Sequence, residues 1–187
     1  MYFKFTYRNQ EFFIMKLWTQ KMDEQQRNWF IENTKSNPKH FRFAYGHVPL
    51  KAVRGPTAMY FYETVGNLFS NSKVDIYFSG HEHMHWDEYL PFSHHGQELR
   101  QVTVGTTSGT YNHAIRRQVR EVHCQDNRIC TSPATSQQFL IERRDGREGY
   151  QVYRQNFVEV IFKNENEYSV NSFALGKDSS LVNFYID

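Results

Sequence analysis

"VDIYFSGHEH" (residues 74–83) is an apolar run that stops at Gly80 and passes directly into two histidines one residue apart. A short continuous apolar run bounded by a turn signal reads as a buried β-strand. The glycine lets the backbone turn and approach an ion with no side chain in the way. A neutral imidazole is a ligand for Zn, Fe, Mn or Ni, and His-x-His spacing gathers two ligands while ordering little extra chain. If the strand continued regularly, His85 would share a face with His81 and His83.

Upstream, "FRFAY" (41–45) alternates apolar and polar positions and runs into "GHVPL", so His47 follows Gly46 at the carboxyl end of a second strand. Between the two strands, Ala58, Phe61, Tyr62, Val65, Leu68 and Phe69 recur at helical spacing and predict an amphipathic helix over 58–72. Strand, helix, strand is most simply a right-handed parallel crossover, and ligands of open α/β sheets bind beyond the carboxyl ends of such strands. His47, His81 and His83 are therefore the candidate metal ligands, gathered at one sheet edge. Of the nearby acids, Asp75 is expected to start its strand, and Glu82, between two ligands, to point away from them.

Around this unit, "YFKFTY" and "EFFIMKLW" read as a hairpin whose second strand is buried on both faces. "DEQQRNWFIENTKSNP" (23–38) reads as a helix opened by an Asp23/Gln26 capping box, with Trp29 and Phe30 on its inner stripe. "QVTVGTTSG" is a further strand and glycine-rich turn. Residues 110–150 form an irregular polar excursion with a short helix around "SQQFLIERR". "NFVEVIF", "EYSVNSF" and "SLVNFYI" are three strands of an antiparallel edge or second sheet. No repeat or low-complexity linker divides the 187 residues, so residues 1–187 are taken as a single α/β domain, long enough for one core.

Composition narrows the functional classes. With 39% hydrophobic and 17% aromatic residues the chain is globular, and a net charge of +2 carries no polyanion-steering field. The arginines between 116 and 147 are interleaved with acids, so no nucleic-acid partner is expected. No apolar stretch reaches the roughly 20 residues of a membrane span. Cys124 and Cys130, the two cysteines, are read either as an extracytoplasmic disulfide or as free thiols, and localisation stays open.

"FAYGHVPL" followed by "VDIYFSGHEH" resembles the last two metal motifs of the calcineurin-like metallophosphoesterases, purple acid phosphatases included. "FFIMKLWTQKMDEQQRNWF" is similar to the strand and helix that precede those motifs. The resemblance covers most of the chain outside about 110–150. It implies the C-terminal half of an α/β/β/α sandwich with mixed sheets, and a metal-dependent hydrolase of phosphate esters. In an intact member two ions of Zn, Fe or Mn clamp the ester and polarise a bridging hydroxide. His47 and His81 would belong to one ion and His83 to the other, while His85, His94 and His95 match no ligand and are expected to be solvated or to stand behind the ligands.

The family's Asp-x-His, Gly-Asp and Gly-Asn-His motifs do not occur in this sequence, which opens at Met1 just where the third of them ends. The expectation is a partial domain from a longer parent, inactive alone for want of the bridging carboxylate, and holding at most one ion. Such a half exposes apolar edges and calls for its missing half or a dimer partner. The alternative is a non-catalytic remnant that binds a partner or a phosphate through His47, His81 and Arg54.

Overall fold

Four consecutive parallel strands place the two Gly-His turns side by side. A computed structural model describes residues 1–36, 41–52, 57–82, 85–92, 98–105, 138–142, 148–152, 156–175 and 181–186; for 138–142, 148–152, 174–175 and 181–186 the description is of the backbone. The elements are β1 (Phe3–Tyr7), β2 (Gln10–Ile14), α1 (Glu24–Thr34), β3 (Arg42–Tyr45), α2 (Met59–Asn71), β4 (Ile76–Ser79), β5 (His85–Leu90), β6 (Leu99–Thr103), β7 (Gln138–Glu142), β8 (Glu148–Val152), β9 (Asn156–Asn164), β10 (Glu167–Leu175) and β11 (Leu181–Ile186). An eight-stranded mixed sheet runs β1-β2-β3-β4-β6-β5-β8-β7, and a three-stranded sheet runs β11-β10-β9. Strands β2, β3, β4 and β6 are mutually parallel. β1 pairs antiparallel to β2, and β5, β8 and β7 extend the far side antiparallel.

Alternation along each strand sorts side chains onto the two faces of the large sheet. Phe13, Ala44, Tyr77 and Leu99 face the helices, where Phe30 of α1 and Phe61, Val65 and Phe69 of α2 complete one core. Phe43, Ile76, Phe78 and Val102 face the small sheet, meeting Val170 together with Val158, Val160 and Phe162. The result is an α/β sandwich with a layer of helices, a mixed sheet and an antiparallel sheet, in line with the fold class read from the sequence. No helix among the described residues is long and apolar enough to cross a membrane.

At the amino ends of the parallel strands, the buried Arg42 guanidinium is tied down on several sides. Its Nε donates to Glu11 Oε2 at 2.7 Å, and its terminal nitrogens reach the carbonyls of Ser36 and Ser72. Asp75, immediately before β4, accepts from the backbone N–H of Arg42 at 2.7 Å. It thus starts its strand as expected, at the sheet end opposite the histidines.

Three expectations change. The Asp23 carboxylate caps α1 by accepting from Gln26 N at 2.7 Å, but the Gln26 side chain does not close the capping box. It is buried instead against the preceding strand segment, accepting from Lys16 N at 2.5 Å and donating to Lys16 O at 3.4 Å. The helix expected around "SQQFLIERR" is strand β7, paired antiparallel with β8; a three-residue apolar stretch has no period of its own, and strand pairing decides it. β5 was not among the expected strands, because its sequence HWDEYL, with one histidine and two acids, shows no apolar alternation. Residues 111–137, with both cysteines and the first arginines of the polar excursion, lie outside the described residues.

Candidate metal centre

The backbone brings His47 and His81 together before their side chains are considered. β3 and β4 are in parallel register through Tyr45 and Phe78, so the two residues that follow each strand lie side by side. Gly46 N donates to Phe78 O at 2.9 Å, and Gly80 N donates to His47 O at 3.0 Å, which carries the pairing past the strand ends. His47 N and Val48 N both donate to Leu17 O, at 3.2 and 3.0 Å, anchoring the turn to the chain leaving β2. Gly46 is required by close approach: a Cβ there would strike the Tyr77 hydroxyl, which donates to Val48 O at 2.6 Å and so pins the same turn from below.

The imidazoles converge. His47 Nε2 and His81 Nδ1 are 3.2 Å apart, with ring planes at 83° and centroids at 5.1 Å. His81 is exposed and takes a positive φ of 69°, which rotates its ring back over His47. Trp18, itself largely exposed, lies against the His47 ring at 4.9 Å. The sequence offered one signal for it, an aromatic residue closing the "EFFIMKLW" run.

Two ligand nitrogens at roughly 2.0–2.1 Å from a tetrahedral zinc stand about 3.3 Å from each other, so the observed separation suits a shared ion. The same separation suits an N–H···N hydrogen bond between neutral rings. A shared ion would take the hydrogen bond's place. His47 and His81 could thus supply two ligands. Among the described residues no group of three or more His, Cys, Asp or Glu side chains converges. His83, the third expected ligand, lies outside the described residues, as do His94, His95 and Arg54.

His85 departs from its expectation of a solvated ring. It is fully buried on β5, facing the small sheet, with Nε2 3.4 Å from Ser172 Oγ. Burial pushes its pKa down to about 4, with Asp87 raising and Arg100 lowering it, so the ring is neutral near pH 7. Beside it Arg100 grips Asp87 through two bonds, Nε to Oδ1 at 3.0 Å and NH2 to Oδ2 at 2.7 Å, and both residues are buried. The reason lies in pairing: β5 hydrogen-bonds to β6 and β8, which turns alternate side chains inward. Glu82 is also buried.

Beneath the histidine pair the two sheets part and leave an open pocket of about 410 Å³. Its wall includes His47, Gly80, Tyr45, Phe78, Val104 and the β9 residues Phe157, Val158 and Val160. Tyr45 and Phe78 stack with centroids 5.0 Å apart and planes at 17°. Burial pushes the Tyr45 hydroxyl up to about 12, so it stays protonated.

No protein-family model matches the chain, and no curated protein matches it in sequence. Among solved structures it is similar in fold to one described as "GAP50 the anchor in the inner membrane complex of Plasmodium", with a TM-score of 0.60 and 12% identity. The match covers 100% of this chain and 52% of that chain, so this chain spans about half the length of its structural neighbour. At that identity the likeness concerns the fold alone.

Proposed function

We propose that this chain is the C-terminal half of a metal-dependent phosphoric-ester hydrolase of the calcineurin-like metallophosphoesterase type, with His47, His81 and His83 as its share of the metal ligands. The observation that carries this reading is the 3.2 Å approach of His47 Nε2 to His81 Nδ1 beyond the carboxyl ends of two adjacent parallel strands. A half-length match to a solved fold is consistent with a half domain. When bound, a Zn, Fe or Mn ion supplies Lewis acidity toward a phosphoryl oxygen and lowers the pKa of water. The chain's own contribution is to fix two imidazoles by backbone bonds at their turns, with the Trp18 ring shielding one side of His47.

Two imidazoles hold one ion weakly and cannot hold two cations against their repulsion, a task that needs a bridging carboxylate. Turnover therefore depends on carboxylates supplied by a longer form or by another chain. A second reading is a non-catalytic fold that binds a partner. The description of the structural neighbour as an anchor points the same way.

Zinc titration of this chain and of His47→Ala and His81→Ala is the test, followed by hydrolysis of an aryl phosphate by this chain and by any longer form. Weak binding of one ion, lost in both variants, with turnover confined to the longer form, is the expected result. Zinc binding that ignores both substitutions overturns the metal site, and binding without turnover in any form leaves the partner-binding fold.

A further inference from the structure

The indole of Trp18 meets the metal candidate without belonging to either Gly-His turn. We infer that Trp18 is a positioning residue: it fixes the plane of the His47 imidazole so that Nε2, and no other ring atom, is presented to an ion shared with His81. The inference rests on the metal site of the proposed hydrolase and adds to it a residue that supplies no ligand atom.

Three observations carry it. First, the backbone bonds of the turn hold the His47 main chain but not its ring. His47 N donates to Leu17 O at 3.2 Å, and His47 O accepts from Gly80 N at 3.0 Å. Neither bond restrains rotation about Cβ–Cγ, a torsion that is broad for an imidazole, so the ring plane is set by side-chain contacts. Second, the ring sits in one orientation. Its Nε2 lies 3.2 Å from His81 Nδ1, while its Nδ1 lies by Gly80, 3.9 Å from where a Cβ would stand. A half turn about Cβ–Cγ would exchange each nitrogen with a carbon and put Cε1 where Nε2 now meets His81. Third, the indole lies against the imidazole, with centroids 4.9 Å apart and planes at 34°, so turning the imidazole drives its edge into Trp18. Among the described residues this is the one ring contact Trp18 makes. The indole is itself anchored, because Leu17 before it is fully buried in the helix-side core and its carbonyl accepts from both His47 N and Val48 N. One carbonyl thus ties the segment bearing Trp18 to the turn bearing His47. A ligand ordered before the ion arrives costs less to bind through, which is what this contact supplies.

The test compares zinc affinity in this chain, Trp18→Ala and Trp18→Phe, with urea midpoints and the side-chain nitrogen resonances of labelled histidine read alongside. At 68% exposure Trp18 adds little to the core, so the urea midpoint of Trp18→Ala is expected to hold. Its zinc affinity is expected to fall roughly two- to tenfold, the range an aromatic pair contributes. The His47 resonances, assigned through His47→Ala, are expected to average over ring orientations in Trp18→Ala. Trp18→Phe, which keeps a flat face against the imidazole, is expected to restore both affinity and resonances. Should Trp18→Ala fail to fold, the indole emission of Trp18, obtained by subtracting the Trp18→Phe spectrum from that of the unaltered chain, gives the same answer. Zinc is expected to change that emission, and His47→Ala to remove the change. Zinc affinity and histidine resonances that ignore Trp18→Ala, or an emission indifferent to zinc, while His47→Ala abolishes binding, overturn the positioning role and leave the metal site standing. Lost affinity with a lowered urea midpoint that Trp18→Phe does not restore assigns Trp18 to the fold and overturns the role as well. Zinc binding that survives both His47→Ala and His81→Ala overturns the metal site itself, and with it the hydrolase reading.

Discussion

His81 holds its backbone at φ 69°, a left-handed conformation that glycine adopts freely and a β-carbon resists. A residue kept there against its preference is a common sign that the side chain, not the turn, is what matters. His81→Gly is expected to stabilise the fold by about 1 kcal/mol, since it relieves this local strain at an exposed position. The same variant is expected to lose zinc binding, which separates the cost of the conformation from the use of the ring. Urea denaturation with and without zinc reads both, and a destabilised variant would mean that the turn carries no strain. At this scale the sequence displayed the Gly-His pairs but not the conformations that aim them. His85 shows the limit from the other side: next to an exposed histidine turn, nothing local signals that this ring belongs to the interior, and its burial follows from pairing with residues far along the chain.

The helix α2 was the most legible element, because six apolar residues at helical spacing admit one face to the core, and its span of Met59–Asn71 follows that stripe. What periodicity could not convey is why Gly66 interrupts it. A glycine in a helix interior costs about 1 kcal/mol relative to alanine. The reason is the Phe92 ring, whose edge occupies the space a Cβ at Gly66 would need. Phe92 also packs on Tyr62 at 4.6 Å and is buried in the helix-side core. Gly66→Ala is therefore expected to destabilise by about 1–3 kcal/mol through overpacking, despite its better helix propensity. Phe92→Leu, which alone leaves a void, is expected to recover part of that loss in the double variant, a coupling that thermal or urea unfolding of the four proteins measures. α1 and β7 were read less completely for the same reason: a capping side chain and a three-residue apolar run each have local alternatives, and the choice is made by Lys16 in one case and by β8 in the other.

Across the whole molecule, the parallel pairing of the two strands that carry the histidines was legible because a single strand, helix, strand crossover leaves few topologies. The antiparallel extension through β5, β8 and β7 was not, since the β5–β8 pairing joins segments distant in sequence. The outer edge at β1 exposes Phe3, Phe5 and Tyr7 at 46%, 46% and 54%. The two ends of the parallel sheet also divide the chemistry. The carboxyl end presents imidazoles, while the amino end packs charge, with Asp75 partly buried beside Arg42. Burial raises the Asp75 pKa to about 6, against the lowering effect of the Arg42 N–H and guanidinium, whose charge is already engaged by Glu11.

A carboxyl whose folded-state pKa lies above its unfolded value favours folding while it is protonated. That contribution is complete below the unfolded value of 3.8 and is lost as pH rises through about 6. Near neutral pH the folded chain thus carries a partly buried carboxylate at a net cost. Asp75→Asn keeps an oxygen to accept from Arg42 N and removes the charge. It is expected to gain about 2 kcal/mol over the unaltered protein at pH 7.5, the advantage shrinking toward zero near pH 4. Urea midpoints of both proteins across pH 4 to 8 provide the measurement. A difference that stays constant over that range would assign the effect to hydrogen bonding, and a variant weakened most at high pH would mean that the Arg42 charge, not burial, governs this end of the sheet.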